Sequence, residues 1–343
     1  MYYKTAVIKR EECIEIDTIL LPPLTSETVR VRVYRAGICG TDYELYKGTM
    51  PYLKNKRISY PLVPGHEWAG KIMEVGNKVK DIQKGDRVSG ELHLGCGNCA
   101  NCKKGRYNLC SKVRRIGIGE LLGAFAEYIQ LPEKLVHKLP LSISFKQGSL
   151  IEPTAVALQA VSLLSISGGE KIIIFGAGPI GLMAVNAVKV YGAGEIILVL
   201  HQHDKFGEQI GRKLGANRCI SFEEISQETE NYFDLGVEAS GSKGVISYLF
   251  YLVKPGGRLS FVGMFKDPVP NFDISKLVIK SLTAYGSLGS AGIWENTIRL
   301  IQSSDLHPEF IVTHEFEFIE IIKTFKNMEK LKREGLIKAS III

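Results

Sequence analysis

The stretch KIIIFGAGPIG, residues 171–181, decides the fold of this chain. Ile172 to Phe175 is a short, continuous apolar run, the pattern of a parallel strand covered on both faces. It leads into Gly176, Gly178 and Gly181 at the spacing G-x-G-x-x-G, and a helix-spaced apolar segment follows from Gly181 to Val190. In that strand–turn–helix setting the first glycine permits a sharp turn. The second lets a pyrophosphate approach the backbone, and the third lets the helix pack on the strand. The helix start offers unpaired N–H groups to phosphates, and Pro179 suits its first turn. Gly176, Gly178, Pro179, Ile180 and Gly181 are therefore the candidate dinucleotide cradle.

Helix and strand alternate on the C-terminal side of this turn. Glu195 to Leu200, Leu235 to Ala239 and Arg258 to Val262 read as strands, and Phe206 to Leu214 as a helix. That alternation predicts a doubly wound parallel sheet over residues 154–289. On the N-terminal side, residues 1–153 read as mostly β. Short alternating runs such as VRVRVY (Val29 to Tyr34) are broken by Pro61, Pro64, Gly65, Gly85 and Gly90. The tail, residues 290–343, is expected to complete this first domain, with helices at Trp294–Ile301 and Ile319–Leu331 and a closing strand at Ile337–Ile343. The fold class is α/β.

An acidic residue at the end of the second parallel strand ordinarily binds the ribose hydroxyls of NAD, about 20 residues past the glycines. Here that strand ends LVLHQHDK, residues 198–205, with no acid at its tip. The loss removes a bar against a 2′-phosphate, and His201, His203 and Lys205 offer it positive partners. NADP is favoured over NAD, while Asp204 stays open as a ribose ligand presented by a shifted loop.

Four of the seven cysteines lie in CGNCANCKKGRYNLC, at Cys96, Cys99, Cys102 and Cys110. Four thiolates so close can complete a tetrahedral zinc shell without outside help. Paired disulfides or unrelated core thiols are the competing view, disfavoured by clustered C-x-x-C in a chain without secretory features. A further Cys39 stands in GICGTD, and His66 and Glu67 stand in PGHEWAG. Thiolate, imidazole and carboxylate suggest a second, open zinc site of the kind catalysis needs.

The chain has 343 residues, 45% of them hydrophobic, and a formal charge of +7. Lys and Arg are scattered without long basic blocks, which argues against a zinc-ribbon protein binding nucleic acid. No apolar run reaches the ~18 residues a membrane span needs, and MYYKTAVIKREE is too charged for a signal peptide. A cytoplasmic setting is expected.

The motifs GICGTD, PGHE, C-x-x-C-x-x-C-x7-C and GAGPIG occur in the order and at the separations of the zinc-dependent medium-chain alcohol dehydrogenases, which the chain resembles over nearly its whole length. The resemblance implies a GroES-like, mostly-β catalytic domain plus a Rossmann cofactor domain. It implies two zinc ions per chain, one structural at the four-cysteine lobe and one catalytic at Cys39, His66 and Glu67. Glu152, in LIEP, is similar to the polyol (sorbitol-type) branch, where it serves as fourth ligand or partner of the bound water. Thr41 matches the hydroxyl that passes on the alcohol proton. Many relatives carry a histidine three positions later, where this chain has Glu44, an alternative proton carrier. Strand ends at Glu238–Gly241, Val262–Gly263 and Ser287–Gly289 are expected to face the nicotinamide, with Val262 and Ser287 as contacts. The implied activity is oxidation of a secondary alcohol of a polyol, sugar or aminocyclitol, with hydride passing to NAD(P). A threonine-type amino-alcohol dehydrogenase is the alternative within the family, weakened by the absent histidine. A zinc-free quinone reductase would lack Cys39, His66 and the cysteine lobe. A homodimer or homotetramer is implied.

Overall fold

The computed structural model describes residues 2–266, 268–269 and 273–343. The chain divides into two compact units. The first holds Met1–Glu152, Trp294–Gln302 and Val312–Ile343, and the second holds Pro153–Ile293 and Ser303–Ile311. No helix among the described residues is long and apolar enough to cross a membrane.

Strands are numbered in chain order. In the first unit β1 (Tyr2–Arg10) and β2 (Cys13–Leu20) form an antiparallel hairpin. The main sheet uses β3 (Thr28–Ile38), β4 (Glu67–Val75), β5 (Arg87–Gly90), β8 (Tyr128–Pro132) and β9 (Val136–Lys138), with β16 (Val312–Glu317) and β17 (Lys338–Ile342) from the tail. Its order is β16-β17-β3-β4-β5-β9, with β8 also paired to β3. A short ribbon, β6 (His93–Leu94) with β7 (Arg114–Arg115), stands apart. Alternation along β3 puts Val29, Val31 and Val33 into one core with Trp68, Ile72 and Leu131. Ala36 and Ile38 join a second core around Phe125, Phe325 and Ile341.

The second unit is a six-stranded parallel sheet. It comprises β10 (Lys171–Phe175), β11 (Glu195–Leu200), β12 (Arg218–Ser221), β13 (Phe233–Glu238), β14 (Val253–Phe261) and β15 (Thr283–Gly286). The order β12-β11-β10-β13-β14-β15 reverses beside β10, the arrangement of a dinucleotide fold. Ile172 to Phe175 and Ile196 to Leu198 are fully buried, as strands covered on both faces require.

Two expectations need correction. Residues 290–343 do not all belong to the first unit, because residues 290–293 and Ser303–Ile311 cluster with the second, as does Pro153. The Asn186 amide donates to the Asp305 carbonyl, and the His307 N–H donates to Asn186 Oδ1 at 2.8 Å. Leu306 and Ile311 are buried there. The helix expected over Ile319–Leu331 is also interrupted. A 3-10 turn, Phe318–Glu320, precedes helices Ile321–Lys326 and Met328–Arg333. Asn327 at the break turns its side-chain amide onto the Lys323 carbonyl, competing with the backbone ladder.

Candidate functional site

Cys39 is the last residue before the helix Gly40–Tyr46, and His66 immediately precedes β4. Asp42 ties these two turns together. Its Oδ2 accepts from the Cys39 N–H at 2.8 Å and its Oδ1 from the Gly65 N–H at 3.0 Å, and Oδ1 also stands 3.5 Å from His66 Nδ1. Asp42 is completely buried. Burial pushes the His66 imidazole down, but the neighbouring Asp42 carboxylate and Cys39 sulfur prevail and raise it. Asp42 was not singled out from the sequence. Its signal was an acid three residues after the cysteine, at the position of a capping box.

Glu67 opens β4 opposite Gly37 of β3, and Lys338 opens β17 on the other side of β3. A side chain at Gly37 would place its Cβ 2.1 Å from Glu67 Oε2, so the missing side chain makes the carboxylate's seat. Through that gap the buried Lys338 ammonium donates to both oxygens of Glu67, at 2.7 and 2.8 Å, and to the Ile38 carbonyl at 3.2 Å. One ligand atom each from Cys39, His66 and Glu67 lie within 4.8 Å of one another.

Glu152 falls outside that trio. It is buried, and its carboxyl is pushed up to about 7, first by burial and further by Glu67 and Asp42, against the opposing pull of His66 and Lys338. Thr41 and Glu44 sit three apart on one face of the helix Gly40–Tyr46, both partly exposed. His93, also not singled out from the sequence, is buried. Burial, then Arg115 and His66, push its imidazole down to about 4, so it is neutral.

Cys96, Cys99, Cys102 and Cys110 bring their sulfurs within 4.8 Å of one another. None is in a disulfide, and the Cys96 and Cys102 sulfurs are 4.0 Å apart. The N–H groups of Cys96 and Lys112 each donate to the Cys110 sulfur at 3.4 Å. Backbone donors at Asn98 and Cys99 bring the Cys96 thiol down to about 6, whereas burial and the neighbouring sulfurs hold Cys102 up at about 11. Such crowding of thiolates is what a divalent cation relieves, so this donor set fits zinc. Tyr107 anchors the lobe to Glu91, whose other oxygen pairs with His137 Nε2 at 2.8 Å.

The glycine turn leaves open space at the start of the helix that follows β10. Gly176 has φ +107°, and a Cβ at Gly181 would sit 1.8 Å from the Gly176 carbonyl oxygen. A Cβ at Gly178 would meet nothing within 4 Å, leaving open space before the helix Pro179–Val190. Val262 and Ser287 follow β14 and β15 at the same sheet end as this turn, and the Ser287 hydroxyl oxygen is buried without a hydrogen-bond partner. Beyond β11 a cavity of about 490 Å³ is lined in part by Leu200, His203, Lys205, Glu223 and Glu224. Asp204 also borders it, but its Oδ1 caps the helix Lys205–Leu214 by accepting from the Gly207 N–H at 2.8 Å. His201 is exposed.

Residues 25–141 match the alcohol dehydrogenase GroES-like domain, and residues 179–303 match the zinc-binding dehydrogenase domain. Sorbitol dehydrogenase of Bacillus subtilis (strain 168) is 31% identical over 340 residues, covering 97% of this chain and 95% of its own. L-threonine 3-dehydrogenase of Francisella philomiragia is 32% identical over 343 residues, covering 94% and 95%. The NADP-bound crystal structure of a zinc-binding dehydrogenase from Sinorhizobium meliloti 1021 superposes with a TM-score of 0.91 at 25% identity, covering 100% of both chains. The chain belongs to the zinc-dependent medium-chain alcohol dehydrogenase family. It is accordingly an oxidoreductase, with a small molecule as its substrate.

Proposed function

We propose that this enzyme oxidises a secondary alcohol of a polyol, sugar or aminocyclitol to the ketone and passes hydride to NAD(P). The observation carrying the proposal is the convergence of Cys39, His66 and Glu67 within 4.8 Å. Those three would hold the catalytic zinc, with Glu152 as fourth ligand or water partner, and the four-cysteine lobe would hold a structural zinc. Bound zinc supplies the Lewis acidity that makes an alcohol acidic, and the bound dinucleotide supplies the hydride acceptor.

The protein's own part is positional. Asp42 and Lys338 fix the ligands. The Thr41 hydroxyl takes the alcohol proton outward, and Glu44 on the same helix face is the next carrier. Gly176, Gly178, Pro179, Ile180 and Gly181 receive the pyrophosphate, while Val262 and Ser287 border the nicotinamide. NADP is the favoured dinucleotide. Leu200 stands where a ribose-binding acid would be, Asp204 is engaged as a helix cap, and His203 and Lys205 line the cavity beside it. His201 is the third candidate for the 2′-phosphate.

An amino-alcohol substrate is the second possibility, favoured by the 32% identity to L-threonine 3-dehydrogenase. We further infer a homodimer or homotetramer in the cytoplasm. The sheet-edge strand β15 is largely exposed beside exposed Val278 and Ile279, which suits pairing with a second copy, and free cysteines suit a reducing compartment.

The test is a screen of polyols, aldoses, inositols and L-threonine with NAD and with NADP, following absorbance of the reduced nicotinamide alongside metal analysis. Oxidation of a hydroxylated substrate with about two zinc per chain is expected. Turnover by metal-free protein would overturn the assignment.

A further inference from the structure

A second polar cluster lies close to the metal ligands and is not used by the reaction just described. His93 and Arg115 face each other across the β6–β7 ribbon, so their side chains leave the same face. Two residues past Arg115, a Cβ at Gly117 would stand 2.2 Å from the Gly65 carbonyl oxygen, which sets the end of β7 against the turn that carries His66. Arg115 is buried, and its guanidinium lies over the Tyr52 ring at 4.8 Å. The Arg57 guanidinium lies over the same ring at 5.0 Å, with 39% of its side chain exposed. Both reach one oxygen of Glu120, Arg115 at 2.9 Å and Arg57 at 3.4 Å. The other oxygen of Glu120 is buried with no hydrogen-bond partner.

Two guanidinium groups thus share one carboxylate. Arg115 and Glu120 balance each other as a buried pair, which leaves the part-exposed Arg57 cation free to meet an anion arriving from solvent. Planar guanidinium forks match phosphate and carboxylate oxygens, and an aromatic ring beneath them fixes their orientation. The unpartnered Glu120 oxygen offers an acceptor to a neighbouring hydroxyl.

We propose that the substrate is an alcohol that also carries an anionic group, a phosphate ester or a carboxylate, held by Arg57 and Arg115 over Tyr52 with a substrate hydroxyl on Glu120. The proposal rests on the dehydrogenase assignment above and narrows its substrate class. These residues set specificity; the bond-breaking step is left to the groups around Cys39.

The test is calorimetric titration of the zinc-loaded protein, without dinucleotide, using a hexitol, its 1-phosphate and the corresponding aldonate. At least one anionic compound should bind about tenfold or more tightly than the hexitol, as charge-assisted bonds imply. Added salt should erode that margin, and the tighter of the two anions identifies the group. Arg57→Gln should lower the ratio of anionic to neutral affinity about tenfold. Removing Arg115 alone strands Glu120, so the second variant is Arg115→Met with Glu120→Gln, checked by circular dichroism, and the same loss is expected. Equal affinity for all three compounds overturns the proposal, as does an anion preference that survives in both variants. Failure to oxidise any alcohol would sink the dehydrogenase assignment instead, because the binding ratios are read without turnover.

Discussion

Lys338 and Glu67, 271 positions apart in sequence, form a two-pronged ion pair across β3 at 2.7 and 2.8 Å, with both side chains buried. The geometry satisfies both carboxylate oxygens while leaving Glu67 beside Cys39 and His66. Breaking such a buried pair strands a charge, which costs roughly 3–5 kcal/mol. Lys338→Met should therefore lower the Tm of the first unit by roughly 6–20 °C. Lys338→Met with Glu67→Gln should recover part of the loss. Scanning calorimetry of the three proteins checks this. A single variant as stable as the parent would show that the pair contributes little.

Cys39 supplies the only sulfur of the trio with His66 and Glu67. Cys39→Ser should reduce bound zinc from about two to about one per chain and turnover by roughly a thousandfold or more. Circular dichroism should be unchanged, because Asp42 still receives the backbone N–H of residue 39. Wild-type rates in that variant would remove Cys39 from the metal centre.

Cys99 belongs to the other cluster, where the expected loss is of a different kind. Cys99→Ser should also leave about one zinc per chain, but the main effect should be a fall in Tm, since incomplete structural sites forfeit folding energy. Metal analysis beside a thermal melt reads both. An unchanged Tm would indicate that the lobe folds without its ion.

Leu200 ends β11, 19 positions after Gly181, where an acid would bind ribose hydroxyls. Leu200→Asp should move the ratio of NADP to NAD affinity toward NAD by roughly tenfold or more. Fluorescence titration with both dinucleotides measures it. Tighter binding of NAD than NADP by the unaltered protein would reverse the preference proposed above.

The parts of this chain that were legible in its sequence are local. The glycine turn, the four-cysteine lobe and the alternating strands each depend on residues within about two turns or one strand of each other. The trio of Cys39, His66 and Glu67 was also visible as residue types, although nothing in its spacing showed that Asp42 would join the turns. What stayed hidden depends on strands meeting from distant parts of the chain. Lys338 became a partner of Glu67 only because β17 and β4 flank β3, and Arg115 came to face His93 only through the β6–β7 register. Asp204 was ambiguous in sequence because an acid before a helix can serve a ligand or the helix itself. In the structure its Oδ1 accepts from the Gly207 N–H and caps the helix, while the side chain also borders the cavity beyond β11.

Gly37 gives the proposed metal site an unusual point of failure. A single methyl there would stand 2.1 Å from a Glu67 oxygen, so even alanine, ordinarily the mildest of replacements, forces the carboxylate to move against the ammonium it holds. The arrangement is thus sensitive to change at a position that contributes no functional group of its own.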